Sequence, residues 1–191
     1  MSKVFIGYQG DLPVRVESSR DIIENDIFLK CDRIEEHEGR AELVNGRILF
    51  GTEILTKFRT AALSHIDSAT SAAILAGFEY TIDNEILHFS YDSFDQQNFA
   101  DTANGALLVL QNVDGVPSTV EWNGYRNYTK EQKGELVRLV LDVPKFLDLY
   151  IKGALVHKNT QMELGGKRKA IISNCTTVES IEMYMKSWYG E

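Results

Sequence analysis

Cysteine is scarce in this chain: Cys31 and Cys175 are the two in 191 residues, and they lie far apart. Two isolated thiols form neither a disulfide framework nor a zinc-ligand pair, and they suit synthesis in a reducing cytoplasm. Long apolar runs are missing as well. "MSKVFIGYQG" has no apolar core of the kind a leader needs, and no later run approaches the roughly 18 residues of a membrane span. The expectation is therefore no membrane association. Basic charge is also in deficit, with 20 Lys and Arg against 28 Asp and Glu, for a net charge of −8. A general nucleic-acid binder needs basic surface to displace counterions, so nucleic acid is not an expected partner. The basic cluster "GGKRK", Gly165 to Lys169, reads as a solvated face.

Catalytic signatures are missing too. His37, His65, His88 and His157 are scattered, with no HExxH pattern, no GxSxG elbow and no phosphate-loop spacing around "GKRK". Asp92, Asp95 and Asp101 lack the spacing and glycine of a calcium loop. Asp92 and Asp95 suit a helix N-terminus through its dipole. The expectation is a non-enzyme without cofactor or metal. Trp122, Tyr125 and Tyr128 interleave with Asn123, Gly124, Arg126 and Asn127. That composition suits sugar stacking or protein contact, or else a loop anchored by Trp122 in the core.

What the sequence does contain is periodicity. Hydrophobic content of 43% and charged content of 25% are those of an ordinary folded protein. Residues 1–51 read as a small β-rich attachment domain. "KVFIGY", "VRVES" and "IFLKCDRIEE" are strand candidates, and in "AELVNGRILFG" Asn45-Gly46 suits a type I′ hairpin turn. From Thr52 the spacing becomes helical through Ala69, and "SAAILAG" reads as a second short helix ended by Gly77. Residues 52–191 are expected to form an α+β domain with a hairpin at 78–91 and C-terminal helices.

"GFEYTIDNEILHFSYDSFDQQNF" places six aromatics within 23 residues. With Asp83-Asn84 as a two-residue turn, Phe78 faces Phe89 and Tyr80 faces Leu87, so the four share one face. Tyr91 continues that face. A one-residue slip would scatter the set, so it reads as a buried face, with Glu79 and His88 on the wet side. Ser93 with Gln96, Thr129 with Gln132 and Thr176 with Glu179 each fit a capping box. They predict helices from Ser93, with a break near Asn104-Gly105, from Thr129 to about Lys158, and from Thr176 or Thr177. In the second tract Leu136, Val140, Val143, Leu147, Tyr150 and Ala154 step by four and three, and Pro144 predicts a break between Asp142 and Pro144. Overall the fold class is α+β: a small N-terminal antiparallel β region, then a mainly helical domain with a β-hairpin.

"AGFEY", the hairpin, "FSYDSFDQQNFA", a Trp-containing strand, "YTKEQKGELVRLV" and "KRKAIISNCTTVESIEMY" follow in an order that resembles a domain of unknown function from bacteriophage tail and tail-fibre-associated proteins. The resemblance covers roughly residues 63–188 and carries no catalytic residues. It implies a virion structural protein of the tail, baseplate or fibre-attachment region, made in the host cytoplasm and partnered by other phage structural proteins or its own copies. A tail-fibre assembly chaperone, or a carbohydrate-binding receptor module using Trp122, Tyr125 and Tyr128, are the alternatives.

Overall fold

The computed structural model describes residues 3–18 and 31–190. Ile27 to Lys30 of the third strand candidate lie outside the described residues. The fold class is α+β, and the chain divides into two compact units, Met1–His65 with Ala170–Glu191, and Ile66–Lys169. The change of period at Gly51 marks the start of helix α1, Gly51–Leu75, whereas the units divide inside α1 and inside α4, Val156–Asn174.

In the first unit β1 (Lys3–Gln9) is the central strand, flanked antiparallel by β2 (Leu12–Glu17) and β3 (Arg33–Glu38). Its Val4, Phe5 and Ile6 are buried. β4 (Ala41–Val44) and β5 (Arg47–Phe50) form the expected hairpin, with Asn45 and Gly46 both at positive φ and Leu43 opposite Ile48. Helix α5, Val178–Tyr189, buries Val178 and Ile181, and Arg40 ties it to the end of β3 through Glu182 at 2.7 Å. Its N-cap is Thr177, whose hydroxyl accepts from the Ser180 N–H, one residue after the Thr176 box.

The second unit holds a four-stranded antiparallel sheet, β6 (Phe78–Ile82), β7 (Glu85–Phe89), β8 (Thr119–Arg126) and β9 (Glu135–Asp142), in that spatial order. The β6–β7 hairpin has the register read from the sequence: Phe78 opposite Phe89, Tyr80 opposite Leu87, and positive φ at Asp83 and Asn84. Its inner face meets helix α2 (Ser93–Leu110) and helix α3 (Val143–Asp148). Phe78, Leu87, Phe89, Tyr91, Phe99, Phe146 and Leu149 form the core.

Three sequence expectations change. The tract from Thr129 is not one helix: Glu135–Asp142 is strand β9, and helix begins only at Val143. "ELVRLVLD" is apolar at five of the six positions from Leu136 to Leu141, so it matches a helical and a strand period alike, and cross-strand packing decides. The Thr129 box is a real local bond, Gln132 N–H to Thr129 Oγ1 at 3.0 Å, but it closes a turn rather than opening a helix. Pro144 does mark a break, and a sharp one, since Asp142 caps α3 and Pro144 occupies its first turn, where no N–H is needed. Second, α2 is capped by Asp92, whose carboxylate accepts from the Phe94 and Asp95 N–H groups at 2.8 Å, not by Ser93, and the helix runs unbroken through Asn104-Gly105. Third, "SAAILAG" continues α1 rather than forming a second helix. Between α3 and α4 a π-helical segment, Leu149–Leu155, brings Gly153 against Phe78.

Candidate functional site

The alternation of side chains along β8 separates the sequence-predicted aromatics. Trp122 lies on the inner face, its ring 4.3 Å from Phe99 and 5.4 Å from Phe146. Tyr125 is an odd number of residues away and points to the opposite face, in register with His88 on β7 and Leu136 on β9. Tyr128, just past β8, lies flat on His88, with centroids 3.5 Å apart and ring planes 3° from parallel. The three therefore do not form one stacking platform.

His88 was expected on the wet side. It is on the outer face, yet only 8% exposed, because Tyr128 covers it and the backbone at Ala76 and Gly77 closes in behind. A Cβ at Gly77 would sit 2.7 Å from its Nε2, so a glycine at positive φ is what lets the ring in. Burial lowers the His88 pKa below the ordinary value, against smaller raising effects from Glu79 and the Ala76 backbone. The signal available in the sequence was the aromatic Tyr128, but nothing in strand alternation shows that a loop residue will fold back over the sheet.

Apart from His88, the outer face is open. Ile86 is 63% exposed, Val140 68% and Leu136 45%. Register places all three on the same side of the sheet, with Arg138 between the last two. A groove of about 780 Å3 runs between the half-buried Asp95, Asn98 and Thr102 of α2 and the β8–β9 ladder. Glu121 and Arg138 line it and make no ion pair among the described residues, and Trp122 and Tyr125 line it as well. β7 ends at Phe89 and pairs with β8 only through His88 and Tyr125, which leaves the first half of β8 open on that side.

The inner face, by contrast, ends in closed polar contacts. Arg126 bridges Glu85 and Glu135, and the Glu85 carboxyl is held below its ordinary range by that bond. Tyr80 donates to Asp148 at 2.7 Å, and burial together with this carboxylate pushes its hydroxyl up to about 12. These groups fix β8, β9 and α3 against the hairpin. Among the described residues no three His, Cys, Asp or Glu side chains converge as metal ligands, and no helix is long and apolar enough to cross a membrane. Compared with known protein families, curated proteins and solved structures, the chain finds no match.

Proposed function

We propose that this chain is a non-catalytic structural protein of a bacteriophage particle, in the tail, baseplate or fibre-attachment region, and that it acts by docking to other proteins. The observation that carries the docking half is the β6–β9 sheet. One face is filled by Phe78, Leu87, Phe89 and Leu141, while the other presents Ile86, Leu136 and Val140 to solvent. A sheet with an uncovered face normally alternates apolar inside with polar outside, so apolar residues on both faces mark a surface that a partner covers. The phage setting rests on the resemblance over residues 63–188.

Mass spectrometry of purified particles tests the reading. A stoichiometric copy number in the finished particle supports a structural component. Presence in assembly intermediates alone transfers the assignment to a fibre-assembly chaperone, and absence from both removes the phage setting.

The groove favours a second reading, a carbohydrate-binding module. Trp122 and Tyr125 line the groove beside Glu121 and Arg138, which make no ion pair among the described residues, and together they offer the mix of aromatic and hydrogen-bonding groups that a sugar requires. Silence on a glycan array removes it.

A further inference from the structure

We infer that two copies of this chain join through β9, edge to edge and antiparallel, so that their two four-stranded sheets become one continuous sheet. The inference rests on the docking reading and goes beyond it by naming one partner, a second copy, and a further surface, the β9 edge.

β9 is the terminal strand of its sheet. One edge bonds β8 through eight consecutive residue pairs, Thr119–Asp142 to Arg126–Glu135, with no shift of register; the other edge has no strand beside it among the described residues. A row of unpaired N–H and C=O groups is a template for another strand. Proteins that must avoid such pairing break the edge with charged side chains, lysine above all, or with proline, a bulge or a short strand. Glu135–Asp142 has no proline, lysine or bulge over its eight residues; its charges are Glu135 and Asp142 at the ends and Arg138 in the middle, so a partner strand must answer Arg138. The opposite edge strand, β6, is shorter, and sends Glu79 and Thr81 outward.

The charges within β9 point to its own copy as the partner. A two-fold axis perpendicular to the sheet keeps both cores on one side, so each residue must face one separated from it by an even number of positions. Centring the pair on Arg138 would oppose the two guanidinium groups. Centring it on Leu139 or on Val137 would leave them diagonal neighbours. Centring it on Val140 puts Val140 against Val140, Leu139 against Leu141, and each Arg138 directly opposite the other copy's Asp142, a ladder of five residues per copy that ends where α3 begins at Val143. Among the described residues Arg138 makes no ion pair, and Asp142 accepts through Oδ1 from the Lys145 N–H at 2.8 Å, with no hydrogen bond to Oδ2, which suits a guanidinium. Opposite charges directly across a strand pair favour this register, and it covers Val140, the most exposed apolar side chain of the sheet.

Sedimentation of the purified full chain tests it. The wild type should sediment at twice 21.6 kDa, and Val140→Asp, which sets like charges against each other on the axis, at 21.6 kDa. Since Val140 is exposed, the far-ultraviolet circular dichroism and melting of Val140→Asp should match those of the wild-type monomer after dilution. Val140→Cys should form a reducible covalent dimer on oxidation, because only this register brings the position against itself, whereas wild type should not. A wild type that sediments at 21.6 kDa, a dimer unmoved by Val140→Asp, or failure of Val140→Cys to cross-link overturns the β9 pairing. Detection of the chain in particles is read separately, so β9 can fail while the docking reading stands.

Discussion

His88 and Tyr128 lie face to face, 3.5 Å between ring centroids and 3° from parallel, and this stack covers the solvent side of a histidine that sits on the outer sheet face yet is 8% exposed. Burial depresses the His88 pKa below its ordinary 6.5, so the unfolded chain binds the proton more readily than the folded one. The stability this group contributes is present above pH 6.5 and is lost as pH falls through the folded value. Tyr128→Ala should move the His88 titration, followed by NMR, up toward the ordinary value and weaken the acid dependence of unfolding. An unchanged titration would contradict the covering role of Tyr128.

Gly153 faces Phe78 so closely that a Cβ there would lie 2.6 Å from the ring. In an ordinary helix interior Gly→Ala stabilises by about 1 kcal/mol. Here Gly153→Ala should instead cost about 1–3 kcal/mol through overpacking, measured by urea unfolding. A stabilised variant would contradict the packing of the π-helical segment on the hairpin.

The hairpin shows what alternation makes legible. Phe78, Tyr80, Leu87 and Phe89 could be assigned to one face because a single two-residue turn fixes every pairing. β9 was not legible in the same way, since Leu136, Val137, Leu139, Val140 and Leu141 leave only Arg138 to break the pattern, and an apolar run of that kind fits either period. The Thr129 turn added to the error by imitating a cap. In the candidate site, Trp122 and Tyr125 look like neighbours in sequence, yet strand geometry sends them to opposite faces. His88 illustrates the limit of alternation. Alternation places it on the outer face, but its burial depends on Tyr128 folding back across the strand, a tertiary contact with no local signature.

Tyr80 and Asp148 make an alkaline prediction. The Tyr80 hydroxyl is pushed up to about 12 from an ordinary 10.0 by burial and by the carboxylate it bonds. Its contribution to stability is complete below pH 10 and is lost as pH rises through about 12. Tyr80→Phe should flatten the fall in stability across that window. An identical alkaline profile would show that the bond does not hold in solution.

The two sheet faces should respond very differently to truncation. Phe99 is fully buried among Phe78, Tyr91, Trp122 and Phe146, and Phe99→Ala should cost about 3–5 kcal/mol. Ile86→Ser, on the open face, should change stability of the isolated chain by no more than about 0.5 kcal/mol. Comparable losses at both positions would mean that the outer face is packed within the chain itself.

The most direct measurement is an electron-microscopy reconstruction of the chain in its native particle. Docking through the open sheet face requires neighbouring protein density over Ile86, Leu136 and Val140, with the Phe78–Tyr91 rings turned inward. Those three residues facing solvent, with density for a small molecule in the groove beside Glu121 and Arg138, would contradict it.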